Sequence, residues 1–346
     1  MSRSIVVNTK ILKSPITGVQ RYLNEILENS DVSFTKVSPG FVKGGVVGHL
    51  WEQLVLPLLV RGNILWSPSN SGPLILKNQV VTIHDMVPLD HPESLTPLFV
   101  IWYKFLLPRL IKRARKIIAI SEFTRSRVLA HTSADPTKIV VIPNGVDEKF
   151  TPQDPATVEM VRSKLGLPTR YLLSVGSLEP RKNLARVLQA WEKVHTELPD
   201  NICLVLAGGK GKKRVFQEVS VDASVPGVHF IGHVSDSDLP ALYCGAEAFV
   251  YMSFYEGFGL PPLEAMACGV PTLTGNLTAL PEVVGDDGAL TVSPFDVEAI
   301  ADGIKKIVCD DVLRNNLRVA GLRRAAEFSW VRTAQMSVDA IRSIEN

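Results

Sequence analysis

Ser253 to Pro271 reads S-F-Y-E-G-F-G-L-P-P-L-E-A-M-A-C-G-V-P, and the rest of the chain is best understood outward from it. Just before it, Ala248 to Ser253 (A-F-V-Y-M-S) is a short apolar stretch that reads as a buried strand. Within it, Leu263 to Cys268 reads as a helix, with Pro262 in the favoured first turn and Gly269 at the stop. Gly257, Phe258, Gly259 and Leu260 are then a tight turn feeding a helix N-terminus, where backbone N–H groups and the helix dipole favour an anion. Glu256 precedes the turn and Glu264 follows it. Carboxylates repel phosphate but accept hydrogen bonds from sugar hydroxyls, so the pair suggests two sugars on either side of a diphosphate. Solvated glutamates on an ordinary strand-turn-helix unit are the bland alternative.

The same residues resemble the signature of the retaining nucleotide-sugar glycosyltransferases of family four, in which two glutamates flank E-G-F-G-L-P-x-L-E-A-M-A-x-G-x-P. The resemblance spans nearly the whole chain. It implies the GT-B arrangement, two Rossmann-like domains facing across a cleft. It also implies that Glu256 contacts the transferred sugar, that Glu264 holds the ribose, and that the amides of Gly257 to Leu260 face the diphosphate. Retention of anomeric configuration is implied by the family alone.

Strand-like and helix-like segments alternate from end to end, which argues for parallel α/β architecture. The first half offers Ile5 to Val7, Val80 to His84, Ile117 to Ile120 and Ile139 to Ile142 as strands, with helices starting near Val19 and Glu122. The run I-P-N-G-V-D, Ile142 to Asp147, followed by Pro152 and Pro155, marks a linker. This puts an N-terminal, acceptor-side domain at 1–150 and a donor-binding domain at 151–327. The second domain offers strands at Tyr171 to Val175, Ile202 to Ala207, Val228 to Ile231, Ala248 to Met252, Thr272 to Leu273 and Leu290 to Val292. Its helices are expected over Leu184 to Thr196, Leu239 to Cys244, Val297 to Val308 and Leu313 to Glu327. The segment 328–346 reads as a helix, and the resemblance implies that it returns to the first domain. No G-x-G-x-x-G follows the first strand of either half, which counts against a dinucleotide oxidoreductase.

The turn G-S-L-E-P-R-K-N-L, Gly176 to Leu184, follows a strand at its carboxyl end, where open α/β sheets bind ligands. Arg181 offers a planar fork and Lys182 a compact charge, together suited to a departing diphosphate. Arg-Lys at this point also fits the family. One departure is Ser177, where many relatives carry an arginine, so Arg181 and Lys182 hold the diphosphate with less help. I-T-G-V-Q-R-Y, Ile16 to Tyr22, is a glycine turn before a helix, and the resemblance brings Gly18 to the diphosphate as well. V-T-I-H-D places His84 at a strand's carboxyl end, able to donate to or orient a sugar hydroxyl, with Asp85 beside it. I-S-E-F-T-R, Ile120 to Arg125, is expected near the acceptor, with Ser121 also a helix N-cap. F-I-G-H-V, Phe230 to Val234, ends a strand and is expected to frame the nucleotide base through backbone groups. The candidate catalytic set is therefore His84, Glu256, Arg181 and Lys182.

With 46% hydrophobic and 21% charged residues, the composition is that of a soluble globular protein. The start M-S-R-S-I-V-V-N is too short in apolar residues for a signal peptide, and prolines and charges interrupt every long apolar run. Cys203, Cys244, Cys268 and Cys309 are widely spaced, pointing to reduced thiols in the cytoplasm. No divalent ion is required, since cations and helix termini can serve its electrostatic role. Residues 1–150 hold 18 Lys+Arg against 11 Asp+Glu, a basic half that favours an anionic partner. Much of this lies in K-F-L-L-P-R-L-I-K-R-A-R-K, Lys104 to Lys116, whose Phe105, Leu106, Leu110 and Ile111 share one helical face. That helix suits peripheral contact with an anionic membrane, or simply a core-packed surface helix. The patch lacks the aromatic platforms and motifs of nucleic-acid binding. The activity implied is hexosyl transfer, mannosyl from GDP-mannose in the first instance and UDP-sugars otherwise, onto a glycan or lipid-linked saccharide in polysaccharide or O-antigen assembly. A nucleotide-sugar epimerase of the same architecture and a non-catalytic nucleotide-sugar-binding subunit are the alternatives.

Overall fold

The structure, a computed structural model, describes residues 4–13, 17–40, 45–199, 201–209 and 225–345. Ile16, the first residue of the expected glycine turn, and the M-S-R start lie outside the described residues. The chain divides into two compact units. Unit 1 comprises Met1–Pro92, Pro97–Gly145 and Phe328–Asn346; unit 2 comprises Glu93–Thr96 and Val146–Glu327.

Unit 1 carries a six-stranded parallel sheet in the order β2-β1-β3-β4-β5-β6. Its strands are β1 (Ile5–Asn8), β2 (Phe34–Val37), β3 (Ile64–Ser67), β4 (Gln79–Ile83), β5 (Lys116–Ala119) and β6 (Ile139–Val141). The sequence reading missed β2 and β3. β2 is an edge strand of only four residues, F-T-K-V, without the apolar run of a central strand. β3, I-L-W-S, is fully buried, but it follows the leucine-rich stretch 54–60 without alternation to separate strand from helix. Helix Trp330–Arg342 packs against helix Gly18–Glu28, with Trp330 edge-on to Tyr22 at 6.0 Å between ring centroids. Thr333 Oγ1 also donates to the Pro143 carbonyl at 2.8 Å. Gly145 is required by this packing, because a Cβ there would lie 2.3 Å from the Trp330 nitrogen.

Unit 2 carries β7 (Arg170–Val175), β8 (Ile202–Ala207), β9 (Val228–Gly232), β10 (Ala248–Tyr251), β11 (Thr272–Gly275) and β12 (Leu290–Val292). They form a second parallel sheet, ordered β12-β11-β10-β7-β8-β9. The chain runs outward from β7 through β8 to β9, then returns to place β10 on the other side of β7. The reversal is the topological switch point at which open α/β sheets bind ligands. Because β7 and β10 are parallel neighbours, the loops at their carboxyl ends adjoin.

Three local expectations are corrected. Pro155 does not extend a linker; it is the first residue of helix Pro155–Lys164, whose N-cap Asp154 accepts from the amides of Ala156 and Thr157. The signature helix starts three residues earlier than expected, Leu260–Ala267, because Gly259 caps it at φ 118° and both prolines fit its first turn. The basic segment is helix Pro97–Arg113, with Lys116 already in β5. Leu106, Leu110 and Ile111 sit in the unit 1 core beside Val81, Ile83 and Ile117, whereas Phe105 faces outward. The apolar face read as a membrane contact is thus largely core.

Candidate active site

The loop after β7 turns through Pro180–Lys182 and reverses at Asn183, a left-handed residue at φ 60°. Asn183 Nδ2 donates to the carbonyls of Met252 (3.0 Å) and Pro294 (2.6 Å), which fastens this loop to the one after β10. Ser253 Oγ and the Phe254 amide both donate to the Arg181 carbonyl, at 2.8 and 3.0 Å. On the other side, a Cβ at Gly208 would lie 1.8 Å from the Gly176 carbonyl oxygen, so only glycine lets the loop after β8 approach.

These contacts bring Arg181, Lys182 and Glu256 into one cluster. Lys182 Nζ donates to Glu256 Oε1 at 2.7 Å, and Arg181 Nη1 donates to Glu256 Oε2 at 3.1 Å. Tyr251, the last residue of β10, receives a bond from Lys182 Nζ at 2.5 Å and donates to Glu256 Oε1 at 2.7 Å. Arg181 Nε donates to Glu179 at 2.8 Å, and Ser177 Oγ donates to the other Glu179 oxygen at 2.5 Å. Glu256 is buried. Burial opposes its ionisation, but Lys182 and Arg181 outweigh it and hold its pKa at about 2. The Lys182 pKa is lowered, first by burial and then by Arg181 alongside. Two cations and two carboxylates therefore share a small, mostly dry volume.

Gly257, Phe258 and Gly259 are buried between this cluster and the helix Leu260–Ala267. A Cβ at Gly259 would meet Leu280 Cδ2 at 2.8 Å. Glu264, in the second turn of the helix, is buried and accepts from the Tyr243 hydroxyl at 3.1 Å. Val234 is half-buried in the segment that follows β9.

In unit 1, His84 follows β4. Its Nε2 lies 2.7 Å from the Pro68 carbonyl, so Nε2 carries the proton and Nδ1 is an acceptor. Burial lowers the His84 pKa to about 4, against the opposing bond to Pro68. The imidazole is therefore neutral at physiological pH, and its one N–H is committed. Tyr22, on the helix that starts at Gly18, meets His84 edge-on at 4.8 Å. Gly18 is exposed behind the cap Thr17, whose amide donates to Gln20 Oε1 at 2.9 Å. Ser121 is the N-cap of helix Glu122–His131, its Oγ accepting from the Thr124 amide at 3.0 Å. Asp85 accepts from the Val87 amide at 3.3 Å and from Asn70 Nδ2 at 3.3 Å.

Sequence reasoning missed four residues, three in the Arg181–Glu256 cluster and one buried carboxylate of unit 1. Glu179 and Asn183 were quoted within E-P-R-K-N-L without roles, and Tyr251 was read only as strand core. The fourth, Glu52, has no motif at all. It lies on helix Val46–Leu54, fully buried, and accepts from Asn8 Nδ2 (2.6 Å), Lys10 Nζ (2.7 Å) and Ser71 Oγ (2.9 Å). Burial opposes its charge, yet Lys10 and His49 hold its pKa at about 2. Two further sequence features carry less than they suggest. Asp236-Ser237-Asp238 is an Asp-x-Asp triplet, but Asp238 is paired with Lys164 at 2.8 Å. Cys244 and Cys268, distant in sequence, are neighbours in space, with Cys244 Sγ 3.7 Å from the Cys268 carbonyl.

Residues 158–324 match the family described as glycosyl transferases group 1, and residues 66–150 match glycosyltransferase family 4. The chain is 36% identical to O-antigen chain mannosyltransferase B of Escherichia coli, covering 98% of this chain and 99% of that protein. It is 34% identical to the serotype-specific mannosyltransferase WbdA of Escherichia coli over 75% of its length, and there it spans only 33% of the relative. Among solved structures, Anabaena Alr3699/HepE in complex with UDP and glucose superimposes with a TM-score of 0.75 at 17% identity, covering 97% of this chain and 98% of that one. At that identity the likeness speaks for the fold.

Proposed function

Because the chain belongs to the group 1, family 4 glycosyltransferases and is a hexosyltransferase of GT-B architecture, we propose that it moves a mannosyl group from GDP-mannose to a hydroxyl of a growing glycan or lipid-linked saccharide. The names of its mannosyltransferase relatives support the sugar and the O-antigen setting. A nucleotide-sugar donor also fits the neighbour that holds UDP and glucose.

The observation that carries the reading is Glu256 bonded at once to Arg181 and Lys182 at the switch point of the unit 2 sheet. A nucleotide sugar offers hydroxyls and a diphosphate side by side, and this cluster offers a carboxylate and two cations side by side. In the proposed complex the diphosphate lies against Arg181, Lys182 and the amides of Gly257 to Leu260. Glu264 accepts from the ribose, Val234 borders the base, and Glu256 accepts from hydroxyls of the transferred sugar. As the bond from the anomeric carbon to phosphate oxygen breaks, charge grows on the diphosphate. Each well-placed donor to it is worth roughly 3–4 kcal/mol. Glu179 acts through Arg181, which it orients.

A double-displacement route needs a carboxylate nucleophile at the reacting carbon. Glu256 is tied to two cations and a tyrosine, and Glu179 to Arg181 and Ser177. A front-face route suits these groups better: the acceptor oxygen bonds to the anomeric carbon as the phosphate oxygen leaves, and the acceptor proton passes to the diphosphate. His84, with a pKa of about 4, is too weak a base to remove that proton at neutral pH, so its role is to orient an acceptor hydroxyl through Nδ1. The reaction so written needs no divalent ion. Free cysteines suit the reducing cytoplasm. A lipid-linked acceptor would be met at the membrane's inner face, and the cationic end of helix Pro97–Arg113 supports that partner.

Thermal-shift titration with GDP-mannose, UDP-glucose and ADP-glucose tests the donor, and GDP-mannose is expected to stabilise most. Glu264→Ala should weaken nucleotide binding, whereas Glu256→Ala should chiefly slow transfer. Wild-type turnover in both variants would overturn the assignment.

A further inference from the structure

Two of the four cysteines meet where two helices of unit 2 end. Cys244 is the last residue of helix Leu239–Cys244, and Cys268 is the C-cap of helix Leu260–Ala267. Thiols 24 positions apart in the chain are thereby brought together. Cys244 Sγ lies 3.7 Å from the Cys268 carbonyl and 3.6 Å from the Thr151 carbonyl, and the Gln153 amide donates to it at 3.4 Å. The Cys268 thiol is a further donor to it. Both cysteines are free. Cys268 is buried, whereas Cys244 is half-buried and open to a small solute.

The surroundings divide the pair into unlike members. Donation from the Cys268 thiol outweighs burial and, with the Gln153 amide, lowers the Cys244 pKa to about 7. Cys268 is pushed the other way, by giving that bond and by burial, and stays a thiol. A reachable, nucleophilic sulfur thus lies beside a protonated one that can resolve it. The other two cysteines stand elsewhere: Cys203 in β8, its thiol held up by burial, and Cys309 at the end of helix Val297–Cys309.

The pair also brackets Glu264. Tyr243, one residue before Cys244, donates to Glu264 Oε2 at 3.1 Å, and the Cys268 amide donates to the Glu264 carbonyl at 3.0 Å. A disulfide holds its sulfurs at covalent distance, far inside any thiol contact. Closing one here draws the two helix ends together and moves both contacts on Glu264.

We propose that Cys244 and Cys268 are a peroxide-sensitive dithiol, closing to a disulfide that displaces Glu264 and weakens nucleotide binding. The Cys244 thiolate attacks one oxygen of hydrogen peroxide; the O–O bond breaks, hydroxide leaves and takes up a proton as water, and Cys244 becomes a sulfenic acid. The Cys268 sulfur then attacks the Cys244 sulfur, the S–O bond breaks, and the departing hydroxide carries off the Cys268 proton as a second water. Two electrons pass from the thiols to peroxide, and a dithiol reductant returns them. Transient bonds of this kind are the usual form of disulfides in reducing compartments. The loss of nucleotide rests on the ribose role proposed for Glu264; the closing of the bond does not.

The test treats the intact reduced protein with hydrogen peroxide at low protein concentration, followed by non-reducing peptide mass spectrometry and titration with GDP and with UDP. One bond, Cys244 to Cys268, is expected, with affinity lowered about tenfold for whichever nucleotide the reduced protein binds better. Dithiothreitol should restore it. Cys244→Ser and Cys268→Ala should each keep the affinity of the reduced parent and lose the response to peroxide. A bond that runs through Cys203 or Cys309, oxidation of Cys244 to sulfinic acid with Cys268 left free, or peroxide sensitivity that survives in both variants would overturn the proposal. Glu264→Ala, kept reduced, separates the two readings. Parental affinity there refutes the ribose role of Glu264, whereas weakened affinity there beside an unaffected disulfide form refutes the switch.

Discussion

Each unit keeps an ionised glutamate in its interior, held at a pKa of about 2, beside the switch point of its sheet: Glu52 by β1 and β3, Glu256 by β7 and β10. Their surroundings differ in a way that separates structure from chemistry. Glu52 is fully occluded and its oxygens are taken by one lysine, an asparagine and a serine from two stretches of the chain, Asn8 to Lys10 and Ser71. Glu256 meets two cations and a tyrosine, and its partner Arg181 has a second carboxylate in Glu179. The first arrangement locks loops together. The second stores paired charge, which in the proposed complex is re-paired, Arg181 and Lys182 turning to phosphate and Glu256 to sugar hydroxyls. A buried carboxylate is therefore not itself the sign of a site; two cations bonded to it at once, at the carboxyl ends of neighbouring strands, are the better mark.

The comparison breaks most visibly at the cations. Arg181→Ala and Lys182→Ala should each lower kcat about 100- to 1,000-fold, read by nucleotide release in the presence of acceptor, because each removes one donor to the leaving group. Glu52→Ala should act on stability: it leaves Lys10, Asn8 and Ser71 without their acceptor and is expected to cost about 3 kcal/mol in chemical denaturation. At a temperature where that variant stays folded, kcat should match the parent. A reduced kcat there would make Glu52 part of the reacting site and erase the distinction drawn above.

Acid titration sharpens it further. His84 is neutral in the folded protein down to about pH 4 but takes a proton near 6.5 when unfolded. Its contribution is complete above pH 6.5 and is lost as pH falls towards 4, up to about 3 kcal/mol. The two glutamates have folded pKa values below the ordinary 4.5, so what they contribute is intact above 4.5 and lost only between there and about pH 2. Between pH 6.5 and 5, then, denaturant midpoints should fall in the parent and stay nearly level in His84→Asn. The smallest expected effect is at Tyr251→Phe. Removing a hydroxyl that bridges Lys182 and Glu256 should reduce kcat about fivefold while nucleotide affinity is retained.

Much of unit 2 was legible because its strands are apolar runs bounded by turn residues, and because Glu256, Gly257–Gly259 and Glu264 form one contiguous motif. What the residues alone could not show was adjacency. Arg181 lies 75 positions from Glu256 in the chain, and only the return of β10 to the far side of β7 makes them partners. Glu179 and Tyr251 were hidden for the same reason, since their roles exist only once both loops are in place. Unit 1 was harder. Glu52 has no neighbour in sequence that explains it, and helix Pro97–Arg113 carries two apolar faces, one for the core and one exposed, where a single face was read. Pro155 misled because proline punctuates linkers and begins helices alike, and only the Asp154 cap separates the two cases.

The docking of Trp330–Arg342 onto unit 1 bears on how the protein is made. On the ribosome, the sheet of unit 1 emerges first, yet the helix that covers Tyr22 and meets Gly145 is synthesised only after every residue of unit 2. The nascent first half must wait, with that apolar surface uncovered, while the second half is translated and able to fold on its own. Unit 1 is thus begun early and completed late, which makes it the half with the longer exposure to aggregation and to chaperones.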